Sequence, residues 1–317
     1  MSNIGLNDIA VYIPIDTKDN YKELERFNVD KNFVDSKIGF RKLSRKNPKE
    51  TTIDISVKAI EKLIHKNSLD RNKVDCLVLI SQNPEDSGLP HSSAVIHDRI
   101  GLRKNCVVFD VSLGCSGFIQ GLSIVKSFME NHNMRIGILV TADPYSKIID
   151  KTDRDTSMLF GDAATASLLS ANPKWKLDFF DFGTVSSSNR ALHIANGKLV
   201  MSGREIFNFA AKEIPESLER VLEKANKTID EIDLVILHQG SKFIVDTLAK
   251  RIKSEGKTPF GAKNYGNTVS SSIPIIMSQT PMEDTNFCLA SGFGVGLAWA
   301  SCLFEKNKEY GVSKGDQ

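Results

Sequence analysis

The chain has 317 residues, 41% hydrophobic and 25% charged, with a formal net charge of +2. These are the proportions of an ordinary globular protein. The charge is too small for a nucleic-acid binder, and no run approaches the ~20 apolar residues of a membrane span. The first residues, MSNIGLNDIAVYIP, lack the basic start and apolar core of a signal peptide. Five cysteines show no CxxC or Cys/His ligand spacing. The sequence therefore reads as a cytoplasmic protein with reduced thiols and no metal.

A first strand spans residues 4–13 and is closed by Pro14. Residues 21–47 are rich in charge and read as a capping insert with a short helix. Residues 52–66 form an amphipathic helix, with Ile55, Val57, Ile60, Leu63 and Ile64 on one side. Residues 74–80 are a continuous apolar run of the kind buried in a parallel sheet, and residues 91–100 form another helix after Pro90. A strand over 106–111 leads through Ser112-Leu113-Gly114 to Cys115. Ser116-Gly117-Phe118 then opens a helix with apolar residues at three- and four-residue spacing. Buried strands follow at 135–141 and 163–169.

The second half repeats this order. AIEKLIHKNSLDRNKVDCLVLI (59–80) lies without gaps over SLERVLEKANKTIDEIDLVILH (217–238), which sets Leu63 and Ile64 on Val221 and Leu222, and Asp75 on Asp233. A second echo sets Phe160-Gly161 on Phe293-Gly294. Two copies of one helix–strand unit predict an internally duplicated α/β fold, residues 1–172 and 173–317. The copies pack as one body, because buried parallel strands need helices on both faces.

Three loops at strand ends carry chemistry. Cys115 sits at a strand-to-helix elbow, where helix amides favour a thiolate; a buried structural cysteine is the competing reading. His238, in His238-Gln239-Gly240-Ser241, ends a buried strand and is placed to face the crevice where open α/β sheets bind ligands. Asn267 lies in a loop, YGNTVSSS, that occupies in the second copy the place Cys115 holds in the first. A thiolate can accept an acyl group from a thioester, and a histidine and an asparagine amide can hydrogen-bond a thioester oxygen as charge develops on it. The glycine-rich strand end 291–296 can add a backbone N–H. A tight strand crossing explains the same glycines. No G-x-G-x-x-G follows the first strand, which disfavours a dinucleotide site.

The motifs FDVSLGCSGF, FGDAATASLL, MSGREIF, ILHQGS, YGNTVSSSIP and GFGVGLAW, in this order and at these intervals, resemble the β-ketoacyl-acyl-carrier-protein synthase III branch of the thiolase superfamily. The resemblance covers nearly the whole chain. It implies a five-layer αβαβα thiolase-like fold, a homodimer, and coenzyme A thioesters as substrates without a further cofactor. Cys115 would be the acylated nucleophile, and His238 and Asn267 would stabilise an enolate. Backbone N–H groups of Cys115 and Val295 would form the oxyanion sites. Phe33, Lys37, Arg154, Gly203, Phe207, Gly240 and Ser241 would line the path of coenzyme A. The implied reaction is decarboxylative condensation of an acyl-CoA with a malonyl thioester, with acyl carrier protein as partner.

The chain departs from the family pattern at several points. Phe33 and Lys37 replace a tryptophan and an arginine. HQGS replaces HQAN, which puts Ser241 where an asparagine helps bind pantetheine. Val295 replaces a glycine, the segment from Met277 to Cys288 is short, and Phe243 replaces a carrier-docking arginine, with Lys242, Lys250 and Arg251 nearby. These changes keep two other readings open: acyl transfer to a hydroxyl or amine without decarboxylation, and a non-catalytic partner subunit.

Overall fold

The computed structural model describes residues 3–311. Met1, Ser2 and residues 312–317, at the outer ends of the two halves, lie outside the described residues. The first half contains β1 (Gly5–Tyr12), β2 (Thr17–Asp19), α1 (Leu24–Phe27), β3 (Lys42–Ser44), α2 (Thr52–Lys66), β4 (Cys76–Ile80), α3 (Ser92–Ile100) and β5 (Val107–Val111). It continues through α4 (Gly117–Asn131), β6 (Ile136–Ala142), α5 (Arg154–Ser157) and β7 (Ala164–Ser170). The second half contains β8 (Trp175–Thr184), β9 (Leu192–Ala195), β10 (Lys198–Met201), α6 (Gly203–Lys224), β11 (Leu234–Leu237), α7 (Lys242–Arg251), α8 (Ser272–Gln279), β12 (Phe287–Gly294) and β13 (Ala298–Lys306).

The helix read over 52–66 is α2. Thr51 and Asp54 form a reciprocal capping box at its start, and Ile55, Ile60, Leu63 and Ile64 are buried, while Val57 is half-buried. Each full burial of such a side chain stabilises the fold by about 1.5–3 kcal/mol. The insert over 21–47 holds more than one short helix. It has α1, a π-helical turn at Phe33–Ile38, and β3 paired with β2. Buried Asn20 ties this insert to the body by donating from Nδ2 to Phe40 O (2.8 Å) and Met158 O (2.9 Å). The β9–β10 hairpin was not evident in the sequence, because each strand has only four residues.

Nine strands of the described residues form one sheet in the order β11-β12-β13-β8-β1-β7-β6-β4-β5. About the antiparallel β1–β8 junction, β1-β7-β6-β4 on one side mirrors β8-β13-β12-β11 on the other. Among the described residues β5 has no counterpart strand in the second half. After β11 the Gln239 side chain holds the segment 259–261: Nε2 donates to Pro259 O (3.4 Å), and Gly261 N–H donates to Oε1 (3.1 Å).

Three apolar clusters define five layers. α2 and α3 cover one outer face, and α6 and α7 the other. Between them α4 and α8 lie in a central cluster fed by both halves. This is the duplicated αβαβα arrangement. No helix among the described residues is long and apolar enough to cross a membrane.

The self-match is also functional at atomic level. Asp75 Oδ2 accepts from Arg135 N–H (2.7 Å) and Ile136 N–H (3.0 Å). Asp233 Oδ2 accepts from Asn286 N–H (2.8 Å) and Phe287 N–H (2.9 Å). Each carboxylate thus fastens the start of the neighbouring parallel strand. Asp75→Ala and Asp233→Ala should each destabilise by about 1–3 kcal/mol, with the larger effect at half-buried Asp75. Urea denaturation checks this, and two unchanged midpoints would contradict the shared role.

Candidate active site

Cys115 leaves β5 through Leu113-Gly114 and sits two residues before the first residue of α4. The end of β12 passes directly over it. A Cβ added at Gly292 would lie 2.7 Å from the Cys115 carbonyl oxygen, and one at Gly294 would lie 2.8 Å from Cys115 Sγ. Only hydrogen fits at these points, so the strand-crossing explanation of the glycines holds, and the crossing itself seats the sulfur. The backbone N–H groups of Val295 and of Cys115 lie near enough to the sulfur to favour its charged form.

The expected resting thiolate is corrected by the structure. Burial pushes the Cys115 thiol up to about 12, against the pull of the Val295 N–H; the nearby Asp143 charge raises it further. Amides at the end of α4 do not offset the loss of water around the charged form.

His238 follows β11 and is buried. Desolvation lowers its pKa to about 3, so the ring is neutral at physiological pH. Its Nδ1 is 2.7 Å from Ser272 Oγ, and Phe293 meets the ring edge-on at 5.6 Å. Asn267 is held by its backbone. Its N–H donates to Leu159 O (2.9 Å), and its carbonyl accepts from Gly161 N–H (2.9 Å). Asn267 Oδ1 accepts from Val269 N–H (2.9 Å), which leaves the amide –NH2 as the free donor end.

Asp143, after β6, clamps both loops. It accepts from Gln82 N–H (2.7 Å) on the first half and from Ser270 Oγ on the second, while burial raises its pKa to about 6. Neither Asp143 nor Ser272 was singled out from the sequence. An acid at the end of a buried strand was a usable signal for Asp143; nothing distinguishes Ser272 from the two serines before it.

Cys115, His238 and Asn267 line one cavity of about 410 Å3, within the usual range for a ligand site. Phe33, Lys37, Arg154, Gly203, Phe207, Gly240 and Ser241 line the same cavity. Its walls also include Leu192, Met201 and Ile206, contributed by the hairpin and α6. Val295 is not among the lining residues; its backbone N–H acts on the Cys115 sulfur, and its side chain packs beside Gly114.

Around the mouth, side chains engage each other. The Arg154 guanidinium lies 5.6 Å from the centre of the Phe33 ring, and Lys37 Nζ lies 4.5 Å from that of Phe243. Phe243 stacks on Phe207 at 5.3 Å. Ser241 caps α7 by accepting from Ile244 N–H (3.3 Å). Of the cations near Phe243, Lys242 pairs with Asp246, and Arg251 donates to Ala211 O (2.6 Å) on α6.

Two family models match the chain: 3-oxoacyl-[acyl-carrier-protein] synthase III over residues 109–187, and its C-terminal part over residues 222–306. A β-ketoacyl-[acyl-carrier-protein] synthase III of Trichodesmium erythraeum is 30% identical over 97% of this chain and 100% of its own length. The chain belongs to the 3-oxoacyl-[acyl-carrier-protein] synthase III family. A crystal structure of a synthase III superposes with a TM-score of 0.89 at 30% identity, covering 96% of this chain and 99% of the other. The enzyme from Burkholderia xenovorans LB400 gives 0.89 at 28% identity, covering 96% and 94%. The synthase III models meet the chain on the elbow of Cys115 and on the strands that carry His238 and Gly294.

Gly294→Ala should fold but displace the sulfur. Alkylation of Cys115 by iodoacetamide, followed by intact mass, is expected to change at least tenfold, since small displacements of reacting groups cost up to about 10²-fold. An unchanged rate would contradict the role of the crossing.

Proposed function

We propose that this synthase III condenses an acyl-CoA with a malonyl thioester carried on acyl carrier protein, using Cys115, His238 and Asn267. The reading rests most on one observation: Cys115, His238 and Asn267 line one cavity. In the first half-reaction Cys115 sulfur bonds the acyl carbonyl carbon. The bond to the CoA sulfur breaks, and the proton from Cys115 ends on the released CoA. N–H groups of Cys115 and Val295 stabilise the developing oxyanion.

In the second half-reaction the C–CO2 bond of the malonyl thioester breaks. Its electrons pass to an enolate oxygen that accepts from His238 Nε2–H and Asn267 Nδ2–H. The enolate carbon attacks the acyl-Cys115 carbonyl, the C–S bond breaks, and a 3-oxoacyl thioester leaves while the Cys115 sulfur takes up a proton from solvent. A neutral imidazole with a pKa near 3 is a poor base but a sound donor. A donor pair beside the nucleophile serves an enolate, which favours condensation over direct transfer to a hydroxyl or amine. The same three groups argue against a non-catalytic subunit.

Phe33 and Arg154 suit the nucleotide end of the substrate. Lys37, Arg154 and Arg204 at the mouth suit an acidic carrier protein. The outer edge of β5, unpaired among the described residues and with Val107 39% exposed, and Leu89, 84% exposed, suit pairing with a second copy in a homodimer. Five buried, unpaired cysteines suit a reducing cytoplasm.

Cys115→Ala should abolish the acyl adduct and all product. His238→Ala and Asn267→Ala should still load acyl groups but lose condensation by about 10²–10³-fold. Intact mass and CO2 release separate the two steps, and a Cys115→Ala enzyme with full condensation would overturn the scheme.

A further inference from the structure

Ser272 is the first residue of α8 and is fully buried. Its Oγ lies 2.7 Å from His238 Nδ1 and 3.5 Å from Gln239 N. A backbone N–H can only donate, so toward Gln239 the hydroxyl oxygen is the acceptor. The hydroxyl carries one hydrogen, and no other acceptor for it stands within bonding distance among the described residues than His238 Nδ1. If Nδ1 carried the proton instead, Ser272 would accept from both neighbours and its own hydrogen would be buried without a partner, the costlier arrangement.

We propose that Ser272 is a positioning residue that donates to Nδ1 and so fixes His238 as the Nε2–H tautomer, aiming a donor at the enolate oxygen. The proposal rests on the condensation reading for its purpose, but its chemistry is independent of turnover. Phe293, edge-on to the imidazole, holds the ring plane while Ser272 sets which nitrogen carries hydrogen. The second half thus supplies the histidine from β11 and its tautomer from α8. Acyl loading on Cys115 needs neither.

The test is nitrogen NMR on 15N-histidine-labelled full-length enzyme, with the His238 signals identified by their loss in His238→Gln. In the wild type, Nε2 should be of the protonated type and Nδ1 of the bare type. In Ser272→Ala the two signals should move toward each other as the tautomers mix, and Ser272→Cys, which keeps a weak donor, should restore part of the separation. Kinetically, Ser272→Ala should load acyl-CoA at a rate within twofold of wild type. Its condensation kcat should fall about 10²-fold, as for loss of an oxyanion donor, with KM for the malonyl carrier little changed.

A wild-type His238 protonated at Nδ1 would overturn the proposal, as would Ser272→Ala with unchanged signals and unchanged condensation. If the wild type released no CO2 yet showed the Ser272-dependent tautomer, the condensation reading would fall while the tautomer assignment stood.

Discussion

Two backbone hydrogen bonds hold the catalytic groups in register: Asn267 N–H to Leu159 O, and Gly161 N–H to Asn267 O. They join a loop of the second half to the strap before β7 of the first. Arg45 steadies that strap by donating to Phe160 O (2.6 Å), and Asp143 ties Ser270 to Gln82 nearby. The β1–β8 junction and the central cluster already make the halves one body; this seam fixes where the Asn267 loop lies against the strap. With it, a nucleophile from one copy and donors from the other share a wall. The duplicated fold is therefore the means of bringing unlike groups to one axis.

Burial is the second constraint, and it decides the charge state of the site. The same loss of water raises the Cys115 thiol and lowers His238. Both groups rest neutral, so no ion pair is held in the apolar interior, where it would be costly. On the reacting groups charge appears only as bonds change, and each developing charge is met by donors: N–H groups of Val295 and Cys115 on one side, His238 and Asn267 on the other. Preorganised donors in a dry site need no rearrangement when the oxyanion forms. Gly292 and Gly294 belong to the same economy of space, since a side chain at either point would occupy the volume of the nucleophile or its carbonyl.

Much of this was legible in the chain because its signals are local. The α2 helix was readable to the residue, since its apolar spacing begins at a threonine cap. The self-match exposed the duplication because Asp75 and Asp233 repeat the same fastening of adjacent strands. Cys115 and His238 stood out as reactive residues at the ends of apolar runs. The resting charge of Cys115 did not, because helix proximity is written in the sequence and depth of burial is not. Ser272 was hidden among three consecutive serines whose partners lie across the fold. At the mouth, Phe33, Lys37 and Arg154 do reach the cavity, but their engagement with each other and with Phe243 depends on tertiary contact. Ser241 likewise shows its capping role only once α7 is in view.

The most direct test of the account is a chase experiment on the wild-type enzyme. The protein is incubated with a panel of acyl-CoAs, its mass is measured, and malonyl-acyl carrier protein is then added. A single acyl adduct mapped by peptide digestion to Cys115 is expected, discharged on the chase with one CO2 released for each adduct lost. An adduct that forms but persists through the chase, or one that maps to another residue, would contradict it.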